Sequence, residues 1–170
     1  MAKKMGLPVE QLIIATNSND VLHRLMSKNQ YEVHPLQHTI APSMDIAVSS
    51  NFERLLFDLY DRDGAKLADL MARMNAKKDV VSLDEDKLAK ARELFDSYAV
   101  SEDMTVATMQ EVFGETGYLL DPHTAIGVKA ARECRRNQNI PMITLGTAHP
   151  VKFEEAVLRA GFDMPKLPHH

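Results

Sequence analysis

The sequence predicts an open, mostly parallel α/β sheet with helices packed on its faces. Two short β-branched runs, at residues 11–16 and 140–145, have the length and composition of buried strands. Each run ends in small polar residues and precedes a segment whose apolar residues follow helical spacing. Strands that alternate with helices favour parallel pairing through right-handed crossovers. The fold class is therefore α/β, and residues 1–170 are expected to form one domain.

Composition and charge exclude several classes of function. The net charge is −4 and basic residues are scattered, which argues against a nucleic-acid surface. No apolar run approaches the roughly 18 residues of a membrane span, and no signal peptide is visible. The lone Cys134 precludes an internal disulfide and favours a reducing, cytoplasmic environment. The histidines show no metal-ligand spacing, so no metal site is predicted.

The first half of the chain contains one clear strand and several helices. After the run at 11–16, a helix is predicted from Val21, and residues 31–40 predict a short strand near their end. Two capping boxes, Ser50 with Glu53 and Ser82 with Glu85, predict the starts of two further helices. The helix after Asn51 is expected to stop at "DRDG", with another helix beyond it.

The second half repeats this alternation. "SYAV" predicts a strand, Ser101 caps the next helix, and that helix ends near Gly117. Asp121 is the expected N-cap of a helix with Pro122 at its first position. Small residues along that helix predict close packing against its neighbours. The run at 140–145 predicts a strand, and the last helix is expected to have Gly161 as its C-cap.

Polar turns follow the predicted strands and mark the candidate functional edge. They lie at residues 16–20, 101–103 and 146–150, and the segment 41–51 is expected to join them. Ligands of open α/β sheets bind beyond the carboxyl ends of the strands. The helix start near Asn51 also offers free N–H groups to an anion. The residues alone do not name the ligand.

Four segments resemble the threonine synthases of bacteria and fungi. They are "ATNSNDVLHR", "APSMDIAVSSNFERLLFDL", "TGYLLDPHTAIGV" and "LGTAHPVKFEEAV", in the same order as in that family. The resemblance implies pyridoxal phosphate as cofactor, O-phosphohomoserine as substrate, and threonine and phosphate as products. It also implies the fold of the large domain of the fold-type II enzymes that use this cofactor. The number of subunits is not predicted.

Family members are much longer than this chain. The resemblance implies that the N-terminal domain, the lysine that forms the cofactor Schiff base and the Gly-Asn-rich phosphate loop all lie upstream of the segments present here. We therefore expect a C-terminal fragment of the cofactor domain, with no catalytic residue in the chain. The fragment is expected neither to bind the cofactor alone nor to turn over substrate.

Thr147, in "GTAHP", is the principal predicted site residue. The resemblance implies that its hydroxyl meets the pyridine nitrogen of the cofactor, whereas the structural alternative is a threonine that caps the last helix. For each of the other pocket candidates, the alternative is a structural role in a helix cap or a turn. These candidates are Asn17, Asn19, Ser43, Asp45, Asn51, Arg54 and His123.

Two classes of function remain open at this point. The first is part of a threonine synthase, a carbon–oxygen lyase that acts on a phosphate ester. The second is a free-standing, non-catalytic α/β module that binds a small anion or a partner subunit.

Overall fold

A computed structural model describes residues 2–76 and 78–167. The chain divides into two compact units. The first unit comprises Met1–Ile14, Val21–Pro35 and Ala47–Ser97. The second unit comprises Ala15–Asp20, Leu36–Ile46 and Tyr98–His170.

Two strands form a small parallel sheet. Strand β1 spans Leu12–Thr16 and pairs with β2, which spans Phe95–Ala99. Beyond the strands the pairing continues with a 2.9 Å hydrogen bond from the N–H of Val100 to the carbonyl of Thr16. Together with the flanking helices, this sheet confirms the predicted α/β class and the strand predicted over 11–16.

Four helices build the first unit: α1 (Val21–Lys28), α2 (Glu53–Leu59), α3 (Gly64–Ala76) and α4 (Glu85–Leu94). Their apolar stripes bury a shared core, as the helical spacing predicts. The turn after α2 places Asp61 and Arg62 at positive φ, which ends the helix at "DRDG" as predicted. The core side chains include Leu25, Leu56, Leu67, Met74 and Leu88.

Three helices build the second unit: α5 (Glu102–Thr116), α6 (Pro122–Cys134) and α7 (Glu154–Arg159). The predicted cap at Ser101 is confirmed, because its hydroxyl accepts from the N–H of Met104 at 3.2 Å. Gly117 and Gly161 follow α5 and α7 at φ 72° and 80°, the left-handed conformation that ends helices. The core between these helices contains Ile40, Met109, Ala125 and Val157.

The strand predicted over 140–145 is wrong. Residues 141–149 have no regular secondary structure, and Ile143 and Leu145 are 81% and 77% exposed. A strand needs a neighbour for its N–H and C=O groups, and the structure gives this run none among the described residues. Of the two runs, the composition therefore predicted a strand correctly only at 11–16, and even there Leu12 is exposed and Thr16 alone is buried.

The short strand predicted near residue 40 is also absent. Only Tyr31 forms an isolated antiparallel bridge, with Val81. The backbone N–H groups of Gln37, Thr39 and Ile40 bond instead to side-chain oxygens of neighbouring segments. Side-chain acceptors therefore replace the partner strand that the pattern implied.

Both predicted capping boxes are wrong. Ser50 opens a short 3₁₀ turn, Ser50–Phe52, and Phe52 is the N-cap of α2 without a side-chain bond. Helix α4 is preceded by Asp84, whose side chain also makes no capping bond. In each case the N-cap lies two residues later than the box requires, so the serine hydroxyl lies too early to reach the first turn.

Candidate functional site

Asp45 is the centre of a hydrogen-bond network in the second unit. Its Oδ1 accepts from Nδ2 of Asn17 at 2.7 Å, from Nδ2 of Asn19 at 3.1 Å and from the hydroxyl of Thr39 at 2.7 Å. Its Oδ2 accepts from the N–H of Thr39 at 2.9 Å. The network thus joins the turn after β1 to the segment 36–46.

This network changes the interpretation of three predicted pocket residues. Asn17 is 2% exposed, and both its Nδ2 and its Oδ1 bond to protein groups. Asn19 also accepts the N–H of Gln37 and donates to its carbonyl. The structure therefore brings Asn17, Asn19 and Asp45 together, but as a brace between two backbone segments with four donors already on the carboxylate.

Asp121 forms a second network at the start of α6. Its Oδ1 accepts from the N–H of His123 at 3.0 Å and from the N–H of Thr124 at 3.3 Å, which confirms the predicted N-cap. Its Oδ2 accepts from the hydroxyl of Thr124. Asp121 is only 2% exposed, so the carboxylate depends on these donors for its solvation.

The protonation of His123 follows from its two neighbours. Nε2 lies 3.0 Å from the backbone N–H of Ser43, a group that can only donate, so Nε2 carries a lone pair. Nδ1 therefore carries the proton and donates to Oδ1 of Asp121 at 2.9 Å. The ring is 7% exposed and packs on Phe153 with centroids 4.5 Å apart. His123 is thus a neutral, buried link between Asp121 and Ser43.

The pKa of Asp121 is below the ordinary value of a carboxyl group. Burial acts to raise this pKa because it disfavours the charged form. The side-chain hydrogen bonds from His123 and Thr124, with the backbone N–H groups of the same two residues, outweigh burial and lower it. Asp121 is therefore an anion in the folded protein at neutral pH.

Thr147 lies at the other end of this second network. Its N–H donates to Oγ1 of Thr124 at 3.1 Å, and the two hydroxyl oxygens are 3.4 Å apart. Because the single hydroxyl proton of Thr124 is given to Asp121, any bond at that distance uses the proton of Thr147. Thr147 is exposed, and its hydroxyl retains the capacity to bond a ligand.

A cavity of about 270 Å³ adjoins this turn. Asp121 and Thr124 at the start of α6 line this cavity. Thr144 and Gly146, in the irregular segment that leads to Thr147, line it as well. Close packing of α6 shapes this wall, as its small residues predict, because a Cβ on Gly127 would lie 2.9 Å from Cγ2 of Thr144.

The helix-cap alternative for Thr147 finds no support in these contacts. The short 3₁₀ turn Pro150–Lys152 is capped by His149, whose Nδ1 accepts the N–H of Val151 at 3.2 Å. Helix α7 follows Phe153, which makes no side-chain capping bond. The hydroxyl of Thr147 therefore has no capping role in the described contacts.

The remaining candidates differ in position. Ser43 is exposed and contributes its backbone N–H to His123. Asn51 and Arg54 lie in the first unit, are exposed, and bond to each other at 2.9 Å. A surface pair in the first turn of a helix is sufficient to explain both residues.

Three residues with polar roles were not found from the sequence. Thr39 and Thr124 relay the two carboxylate networks, and the "DPHT" spacing could have indicated Thr124 because it lies three residues after a cap. Thr16 has a buried hydroxyl with no partner among the described residues.

The described residues contain no group of three or more potential metal ligands. None of the helices among them is long and apolar enough to cross a membrane.

Comparison with known proteins agrees with the fold. The family described as "Threonine synthase, C-terminal" matches residues 124–170, a range that contains Thr124 and Thr147. A threonine synthase of Pseudomonas aeruginosa is 57% identical over 171 residues, which cover 100% of this chain. That of Corynebacterium glutamicum is 40% identical over 99% of the chain.

Solved structures show the same relationship. The pyridoxal-phosphate-bound threonine synthase of Brucella melitensis superposes with a TM-score of 0.93 at 47% identity, over 98% of this chain. The yeast enzyme superposes with a TM-score of 0.84 at 36% identity. Over its whole length the chain is similar to threonine synthases. It spans 36% of the length of the Pseudomonas and Brucella proteins.

The residues beside Thr147 suit the cofactor of this family. Thr147 presents an exposed hydroxyl, a group that can donate to or accept from a ring nitrogen. Gly146 and Ala148, the two neighbours of Thr147 in the chain, both line the adjoining cavity, and Gly146 contributes no side chain.

Proposed function

We propose that this chain forms part of the cofactor domain of a threonine synthase. The reaction converts O-phosphohomoserine and water to threonine and phosphate, and its class is that of the carbon–oxygen lyases acting on phosphates. The observation that carries the proposal is the superposition of 98% of the chain on an enzyme structure that holds pyridoxal phosphate. All 170 residues are proposed to belong to that one domain, in the cytoplasm.

Thr147 is the proposed partner of the cofactor ring nitrogen. When bound, pyridoxal phosphate supplies an electron sink for carbanions. A threonine hydroxyl holds the ring nitrogen by a neutral hydrogen bond, which tunes this sink more mildly than a carboxylate does. The N–H of Thr147 is already held by Thr124, so the hydroxyl is presented from a fixed turn.

The candidate pocket residues act mainly through backbone segments. Asn17, Asn19 and Asp45 brace the segment 36–46, and His123 holds the N–H of Ser43. Substrate contacts from Ser43, Asn51 and Arg54 remain proposals that rest on family resemblance. No nucleic acid partner is proposed.

The 170 residues alone are proposed to be inactive, because none of their lysines has the sequence context of the lysine that holds the cofactor. The non-catalytic alternative is not favoured, since the similarity to enzymes extends over 100% of the chain.

A chimera tests the proposal. The matching 171-residue region of the Pseudomonas protein is replaced by this chain, and phosphate release from O-phosphohomoserine is measured with added pyridoxal phosphate. Turnover within about tenfold of the parent enzyme is expected, which corresponds to a rise of at most about 1.4 kcal/mol in the activation barrier. A chimera that melts like the parent and binds cofactor but releases no phosphate would refute the proposal. The isolated chain is the matched control and should release none.

A further inference from the structure

Asp121 bonds through two neighbours to two separate backbone segments. One arm runs from Oδ1 to Nδ1 of His123, and from Nε2 of the same ring to the N–H of Ser43. The other arm runs from Oδ2 to the hydroxyl of Thr124, and from that oxygen to the N–H of Thr147. Each relay residue is buried and uses both of its polar positions.

The direction of every bond is determined by the two backbone groups. Ser43 and Thr147 can only donate from their N–H groups, so Nε2 of His123 and Oγ1 of Thr124 must accept. The remaining proton of each relay then points to Asp121, which as an anion only accepts. A neutral amide at position 121 has one acceptor oxygen and cannot serve both arms in this pattern.

We propose that Asp121 is a positioning residue that fixes two turns of the site at once, the turn of Ser43 through His123 and the turn of Thr147 through Thr124. The proposal rests on the proposed function only in naming Thr147 as the residue whose placement matters. The carboxylate acts through the groups that it orients, because its hydrogen bonds among the described residues go to His123 and Thr124.

Amide hydrogen exchange, measured by NMR on the chain without cofactor, tests each arm separately. Thr124→Val removes the acceptor of the Thr147 N–H, so that amide should exchange about tenfold faster while the Ser43 amide keeps its rate. His123→Phe keeps a ring against Phe153 but removes the acceptor of the Ser43 N–H, and the reverse pattern is expected. Thr124→Ser keeps the hydroxyl and should restore the wild-type rate at Thr147.

Thr108→Val is the matched control. Thr108 is equally buried, and its hydroxyl bonds only within α5, to the carbonyl of Met104 at 2.7 Å. This variant should leave both amides unchanged. Acceleration of both amides by either single relay variant would overturn the proposal, because it would show that α6 had loosened as a whole. An unchanged Thr147 amide in Thr124→Val would overturn it as well.

The imidazole nitrogens of the unmodified chain give a test that needs no variant. Their ¹⁵N chemical shifts should identify His123 as neutral, with a protonated Nδ1 and an unprotonated Nε2. The opposite tautomer would remove the Ser43 arm and contradict the proposal. Neither measurement depends on turnover, so an inactive chimera and a failed relay are distinguishable results.

Discussion

Asp45 accepts a 2.7 Å hydrogen bond from Nδ2 of Asn17, and it does so with a carboxylate that already bonds Thr39 twice. The lone acid between Met44 and Ile46 therefore holds the loop 36–46 to the turn that follows β1. Ile46, the residue after Asp45, is 43% exposed and contributes little apolar packing here. The side-chain network therefore holds this loop together with the buried side chains of Ile40 and Ala41.

Asp45→Asn should destabilise the fold. The amide has one carbonyl oxygen, so at least one donor of Thr39, Asn17 or Asn19 loses its acceptor. The free energy of unfolding is expected to fall by about 1–2 kcal/mol, as measured by urea denaturation. Asp163→Asn is the control, since Asp163 is exposed, and it should change the free energy by less than about 0.5 kcal/mol. Equal effects of the two substitutions would contradict the bracing role of Asp45.

Asp121 should make the stability depend on acidity. The pKa of Asp121 in the folded protein lies below the value of about 4 that an Asp has in an unfolded chain. The unfolded state thus binds the proton more readily, and the stabilisation is complete above the unfolded pKa and is lost as the pH falls through the folded pKa.

The measurement is the free energy of unfolding of wild type and Asp121→Asn between about pH 7 and pH 2.5. The difference between the two proteins should be largest at neutral pH and shrink in acid. A difference that stays constant over this range would show that the charge of Asp121 contributes nothing.

Glu102 should matter more than Arg159, its ion-pair partner. Their side chains bond at 2.6 Å on the surface, and Oε1 of Glu102 also accepts the N–H of the buried Ile40 at 2.9 Å. Arg159→Ala removes two exposed ion pairs, with Glu102 and Asp103, and should cost at most about 1 kcal/mol. Glu102→Ala also leaves a backbone donor unpaired and should cost about 1–3 kcal/mol. Thermal unfolding of both variants in the same buffer measures the two losses of stability. A larger loss for Arg159→Ala than for Glu102→Ala would contradict the prediction.

Gly127→Ala and Gly114→Ala should differ in sign or size. Both glycines are helical, and alanine favours a helix by about 1 kcal/mol over glycine. A Cβ on Gly114 meets nothing within 4 Å, whereas one on Gly127 lies 2.9 Å from Thr144. Gly114→Ala should therefore raise the free energy of unfolding by about 0.5–1 kcal/mol. The change caused by Gly127→Ala should be at least about 1 kcal/mol less favourable than that. Equal free energies of unfolding would show that Thr144 yields without cost.

Local signals in the sequence predicted those elements whose partners lie nearby in the chain. Ser101, Asp121 and Gly117 end or begin helices as predicted, because a cap needs only the first or last turn. The run at 140–145 was misjudged, since a strand also needs a neighbour that periodicity cannot supply.

The turns of the site were predictable from the sequence, but the hydrogen bonds that connect them were not. Resemblance identified Thr147 as a candidate, and simple capping rules identified Asp121. The relays through His123 and Thr124 span 80 and 23 residues of sequence, and no local pattern encodes contacts at such separations. The serine of each predicted capping box failed for a related reason, because the helix start depends on tertiary packing as well as on the local motif.

The central claim, that the hydroxyl of Thr147 serves the cofactor ring, is tested by one pair of variants in the chimera with the Pseudomonas threonine synthase. Thr147→Val keeps the shape and the N–H bond to Thr124 but deletes the hydroxyl, and Thr147→Ser keeps the hydroxyl. The cofactor absorbance spectrum and phosphate release are recorded for both, with melting temperature as the check on folding.

We expect Thr147→Val to shift the absorbance and to lower turnover by about tenfold or more, which corresponds to a lost hydrogen bond of roughly 1–3 kcal/mol. Thr147→Ser should keep both properties near those of the unsubstituted chimera. A Thr147→Val protein with an unchanged spectrum and unchanged turnover would contradict the claim.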